Sequence, residues 1–89
     1  EKTFREGFEE YILDCKARNL RDGTINHYQE SIKQIYKRIT PDTLISSMCQ
    51  QTMANFYISL RDDPNLNEVS MGTYARDLKT LMRFFIQAM

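Results

Sequence analysis

The chain has 89 residues, of which 42% are hydrophobic and 27% charged, and its formal net charge is +0. That suits one compact domain, residues 1–89, with a single modest core; it is too apolar for a disordered chain and too charged for a membrane one. Its longest apolar runs, such as Phe56-Tyr57-Ile58 and Phe84-Phe85-Ile86, fall far below the roughly 18 to 20 residues that span a bilayer, so no membrane partner or signal peptide is expected.

The first helix is predicted from Thr3, where Thr3-Phe4-Arg5-Glu6 spells a capping box: the hydroxyl accepts from a helix-start amide and the glutamate reaches back. Phe4, Phe8, Tyr11, Ile12 and Cys15 then recur at spacings of three and four, the stripe that one helix face buries, and Asn19 ends the element. After the turn-rich Arg21-Asp22-Gly23-Thr24, a second stripe of Ile25, Tyr28, Ile32, Ile35, Tyr36 and Ile39 predicts helix two. Pro41 breaks it. Ser47-Met48-Cys49-Gln50 reads as a second capping box, leading into a third helix with Met48, Cys49, Met53, Phe56, Tyr57 and Leu60 on its apolar side. Residues 62–67 are a loop by composition. Ser70 is expected to open helix four, whose stripe is Met71, Tyr74, Leu78, Leu81, Met82 and Phe85. Nothing alternates like a strand, so the predicted fold class is all-α with four main helices.

Cys15 and Cys49 stand far apart with no Cys-x-x-Cys and a single histidine, so no metal site, zinc centre or disulfide framework is expected. Both are read as reduced, semi-buried thiols of a cytoplasmic protein. The start at Glu1 without an initiator methionine, and the end at Met89 inside an apolar run, lead us to expect a piece of something longer. No cofactor-binding motif is present, and a small enzyme has the least support, since no phosphate loop or nucleophile–base pair is recognisable.

Helices two and four carry a weak gap-free repeat: Gly23-Thr24-Ile25 against Gly72-Thr73-Tyr74, Ile32 against Leu81, and Ile35-Tyr36 against Phe84-Phe85. In that register His27 meets Arg76, Ser31 meets Thr80 and Gln34 meets Arg83, on faces expected to point away from the apolar stripes. Two amphipathic helices could align this well without shared function. Charge separates the readings better. Residues 1–14 set Lys2 and Arg5 against Glu1, Glu6, Glu9, Glu10 and Asp14, a net −3. Residues 15–40 set Lys16, Arg18, Arg21, Lys33, Lys37 and Arg38 against Asp22 and Glu30, a net +4. Residues 41–68 return to −3, and the remainder, with Arg76, Lys79 and Arg83 against Asp77, is +2. The repeat-bearing helices are the basic ones, as a phosphate backbone would select. Amides behind Thr24, Ser70 and Thr73 at helix starts add candidate phosphate donors, although simple N-capping is the commoner role for residues such as Thr24 and Ser70, and one cap can serve both purposes.

The pattern Phe4…Phe8…Tyr11-Ile12, then Leu20-x-x-x-Thr24-Ile25-x-x-Tyr28, then an Ile/Met-led third helix, then Ser70-x-x-Thr73-Tyr74…Leu78…Leu81…Phe84-Phe85 resembles the tyrosine recombinase (phage integrase) family, specifically its N-terminal SAM-like core-binding domain. The resemblance covers nearly the whole chain through soft hydrophobic patterns rather than rare residues. It implies a compact four-helix orthogonal bundle that forms one half of a clamp around double-stranded DNA during integration and recombination. Its partners would be the C-terminal catalytic domain of the same parent chain and other recombinase protomers in a synaptic complex, in a bacterial, phage or mobile-element setting. Carried onto this sequence, it points to Thr24, His27 and Ser31 on helix two and Ser70, Thr73, Arg76 and Arg83 on helix four; the charge pattern adds Arg21, Lys33 and Lys79 as candidate DNA contacts. One departure is Arg21, where the family often has a serine cap; the start of helix two then falls to Asp22. The family's catalytic groups lie in the other domain, and this chain has no His-x-x-Arg. Its five tyrosines mostly fall on apolar stripes, and His27 has no carboxylate orienter visible in the sequence, so it is read as solvent-facing or phosphate-contacting.

The competing reading is a helical protein-interaction module that docks through exposed methionines such as Met71 or Met89 and through Phe84-Phe85-Ile86.

Overall fold

The computed structural model describes residues 1–88, and side chains through Ile86. Four α-helices are present among the described residues: α1 (Phe4–Ala17), α2 (Asp22–Tyr36), α3 (Gln50–Arg61) and α4 (Glu68–Ala88). The fold class is all-α, as the periodicities predict. The radius of gyration of 12.8 Å is close to the roughly 12 Å expected of a compact chain this long.

The ends of α1 follow local rules. The Glu6 amide donates to Thr3 Oγ1 at 3.3 Å while the Thr3 amide donates to Glu6 Oε1 at 3.0 Å, closing the capping box. At the other end Asn19 adopts a left-handed φ of 63°. The Asn19 amide donates to the Lys16 carbonyl and the Leu20 amide to the Cys15 carbonyl, a Schellman stop. The first amides of α1 are met from further along the chain: Phe4 donates to the Thr43 carbonyl and Arg5 to the Pro41 carbonyl. The segment after α2 is thereby stapled to the start of α1, and a short 3₁₀ turn at Ile45–Ser47 completes it. Gly7 is required beneath that turn, because a Cβ there would stand 2.5 Å from Ile45 Cδ1 and 2.8 Å from Phe85 Cε1.

Two expected helix starts move. Ser47 does not cap α3; its hydroxyl donates to the Leu44 carbonyl, and Cys49 is the N-cap, its amide donating to Thr52 Oγ1 at 3.1 Å. Nor does Ser70 open α4, which begins at Glu68; Asn67 Oδ1 accepts from the Ser70 amide at 2.8 Å. Both shifts have the same cause. Several polar residues compete within three positions: at α4 the Asn67 side chain is the one that reaches a free amide, and at α3 the Thr52 hydroxyl reaches back to the Cys49 amide.

The core is organised around α4, which packs against α1, α2 and α3. Leu78, Leu81 and Phe85 from α4 are buried with Phe4, Cys15, Ile35 and Phe56, and the Phe4 ring meets Tyr36 and Phe85 edge-on with centroids 5.3 and 5.9 Å apart. Each such side chain contributes about 1.5 to 3 kcal/mol through burial. Arg38 ties the end of α2 to the loop before α4 through a 2.6 Å contact of Nη2 with Asp63 Oδ2. Cys15 is buried but Cys49 is exposed, and Tyr57 leaves the expected stripe of α3 for the surface. No helix among the described residues is long and apolar enough to cross a membrane.

Candidate nucleic-acid interface

On α4, Arg76, Lys79 and Arg83 follow one another at three and four residues, so they share a face, and all three are exposed. None has a carboxylate within ion-pair distance among the described residues. Elsewhere Lys2 is paired with Glu10, Arg18 with Asp14, Lys33 with Glu30 and Arg38 with Asp63, whereas Lys16, Arg21, Lys37 and Arg61 also have no such partner among the described residues; α4 is distinguished by setting three unpaired cations in one row. The one acid in the middle of α4, Asp77, lies about 100° round the helix from Arg76 and is turned inward with 5% of its surface exposed.

Asp77 joins the two basic helices. Its Oδ2 accepts from Ser31 Oγ at 2.6 Å and from His27 Nε2 at 2.9 Å, both on α2. An ionised carboxylate only accepts, so Nε2 carries the proton and Nδ1 is the ring atom left for an outside partner. The imidazole is half exposed while its acid is buried. His27 therefore does have a carboxylate orienter, contrary to expectation. The pairing spans 46 positions in the chain, beyond the reach of any local motif. One signal was present: Asp77 stands three residues after Tyr74 and four before Leu81, inside the apolar stripe, where an unpartnered acid is costly. Although Ser, His and Asp meet here, they form no nucleophile–base pair, because the serine gives its proton to the acid and not to the imidazole.

The ten candidate contact residues separate into groups. Arg21, Thr24, His27, Arg76, Lys79 and Arg83 are exposed on the α2 and α4 helices or at their starts. Ser31 is removed from the surface, 3% exposed and facing Asp77 rather than away from the apolar stripe. Lys33 is exposed but lies six residues after His27, about 120° round the helix, and is paired with Glu30 at 3.2 Å. Thr73 donates its hydroxyl proton to the Val69 carbonyl at 3.0 Å, which leaves only lone pairs and nothing to offer a phosphate oxygen. The amides expected to be free are taken: Ser70 donates to Asn67 Oδ1 and Thr24 to the Arg21 carbonyl, while Thr73 lies in the second turn of α4. At the start of α2 Arg21 is the N-cap without a side-chain cap bond, and Asp22 occupies the first helical position.

Burial raises the hydroxyl pKa of Tyr36 to about 12 and that of Tyr11 further, with Tyr28 adding to the effect at Tyr11. Such shifts are opposite to what an activated tyrosine nucleophile needs. Of the surfaces considered for protein docking, Met71 is half-buried, Phe85 is buried and Phe84 is partly covered, leaving Ile86 exposed; Met89 lies outside the described residues. Comparison with protein-family models, with curated proteins and with solved structures finds no match.

Proposed function

We propose that the chain is a non-catalytic DNA-binding domain that grips duplex DNA through the adjoining exposed faces of α2 and α4. The observation that carries this reading is the unpaired row Arg76, Lys79 and Arg83 beside His27, whose imidazole is held from beneath by Asp77. An unpaired guanidinium or ammonium that meets a phosphate releases a condensed counterion without first breaking a protein ion pair. His27, with Nε2 on Asp77, leaves Nδ1 for a partner in the same row. Thr24 and Arg21, at the start of α2, extend the footprint.

In this reading the domain works as half of a clamp in a tyrosine recombinase of bacterial, phage or mobile-element origin, acting in the cytoplasm. The other half is a C-terminal catalytic domain of the same parent chain, and further protomers assemble with it on DNA. The resemblance of the Leu20…Tyr28 and Ser70…Phe85 patterns to the family's core-binding domain supports this, and so does the four-helix all-α fold.

The test is the salt dependence of binding to a DNA duplex. Each phosphate contact steepens the fall of log affinity with log salt concentration by about 0.9. Arg76→Ala is expected to weaken binding and to flatten that slope by about one unit; an unchanged slope removes Arg76 from the interface. The second reading, a helical protein-interaction module, draws on the exposed Tyr57 and Ile58 of α3 and Ile86 of α4. In that case the domain ignores DNA at low salt, and Ile58→Asp abolishes association with a protein partner.

A further inference from the structure

Beside the basic row, where α1, α2 and α4 meet, lies a cleft of about 530 Å³. That volume falls within the roughly 300 to 1,000 Å³ of small-molecule sites. Tyr11, 4% exposed, is its floor, and the half-buried rings of Tyr28 and Phe84 flank it edge-on, with centroids 5.1 and 5.2 Å from Tyr11. Three charged side chains line the same cleft: Asp14, Arg18 and Arg83. Arg18 is neutralised by Asp14 through a 2.8 Å contact, whereas Arg83 has no acidic partner among the described residues, so the lining carries a net single positive charge.

Aromatic surface beside one uncompensated guanidinium selects a planar ring that bears a single negative charge. A nucleotide within a DNA or RNA strand has that composition: each phosphodiester carries one charge, and an unstacked base exposes its π face. Bases inside a duplex are stacked on both faces and cannot enter. We propose that this cleft binds one unpaired nucleotide, its base against Tyr28 and Phe84 and its phosphate on Arg83. The site extends the duplex-binding reading through the shared residue Arg83, but it takes a different form of nucleic acid. A free mononucleotide presents the same ring and phosphate, with close to two charges near neutral pH.

The chain has no tryptophan, and two of its five tyrosines, Tyr11 and Tyr28, line the cleft, so tyrosine fluorescence responds in part to the cleft and backbone amide shifts locate the change. The domain is titrated separately with a short oligothymidylate, with thymidine monophosphate and with a blunt duplex. The oligothymidylate is expected to shift Leu20, Tyr28 and Phe84 saturably, and Tyr28→Leu to weaken it about tenfold, the value of one stacked base, with duplex affinity unchanged. Because Tyr28 also packs on the core, Arg83→Glu provides a surface change that should abolish the same shifts. Cleft shifts with the monophosphate alone would assign the site to free nucleotides. If neither single-stranded probe moves a cleft resonance, the proposal is overturned, and the duplex reading stands or falls on its own titration. Cleft shifts without any duplex binding would retain this site and remove the clamp.

Discussion

His27 Nε2 stands 2.9 Å from Asp77 Oδ2, and this contact, with Ser31 on the same oxygen at 2.6 Å, is what fixes α2 against α4 through polar groups. A buried carboxylate is tolerated only while its acceptors are filled. Removing the histidine leaves Asp77 with the serine alone. His27→Ala is therefore expected to destabilise the domain by about 1 to 3 kcal/mol, discounted from the cost of breaking a fully buried pair because the imidazole is half exposed. In thermal denaturation that is a fall in Tm of roughly 4 to 8 °C per kcal/mol for a domain of this size. The double change Asp77→Leu with Ser31→Ala, which removes acid and donor together, should recover much of the loss. A His27→Ala domain that melts with the parent would show that the contact contributes nothing.

Ser31 and Arg76 make a discriminating pair for the DNA reading. Ser31 faces inward, so Ser31→Ala should cost about 1 kcal/mol of stability through the lost hydrogen bond and leave the salt dependence of DNA binding alone. Arg76 faces outward, and Arg76→Ala should do the reverse. Parallel denaturation and binding titrations on the two variants check this; a Ser31→Ala domain of full stability with impaired DNA binding would place the serine at the interface after all.

The two thiols should differ sharply in reactivity. Cys49 is exposed at the start of α3, where hydrogen bonding by Thr52, first through its backbone and then its hydroxyl, and by the Gln51 backbone lowers its pKa. Cys15 is buried. Since the thiolate is the reactive form, iodoacetamide at neutral pH should alkylate Cys49 while Cys15 stays unmodified until the domain unfolds. Peptide mass mapping over a time course reads this out, and equal rates at both positions would contradict the burial of Cys15.

Acid should loosen the start of α1. The Thr3 backbone amide, then its hydroxyl, hold the Glu6 carboxyl below its usual pKa. A depressed carboxylate stabilises the fold fully above the ordinary glutamate range, and this contribution is lost as pH falls through the lowered value. Glu6→Gln should remove that component of the acid dependence, seen as a flatter stability-against-pH profile below about pH 4. An identical profile would mean that the capping box does not persist in solution.

What the sequence revealed and what it hid divide along physical lines. The stripe Phe4, Phe8, Tyr11, Ile12 and Cys15, the Thr3 box and the Asn19 stop were legible because each is decided within about a turn of helix. The caps at Cys49 and Asn67 were not, because neighbouring hydroxyls and amides make near-equal caps and the surrounding structure chooses between them. In the candidate interface, exposed Arg76, Lys79 and Arg83 followed from period and charge. Ser31 was misread because its polarity suggested a solvent face, whereas its partner Asp77 lies on another helix. The repeat aligned Ser31 with Thr80 and so hid the pairing that matters.

The most direct test is a low-salt titration of the domain with duplex DNA, followed by backbone amide shifts. Saturable shifts are expected at residues 21–27 and 76–83, with the His27 ring resonances moving and Lys33 little affected. Shifts confined to α1 and α3, or none at all, would contradict a DNA-gripping face built from α2 and α4.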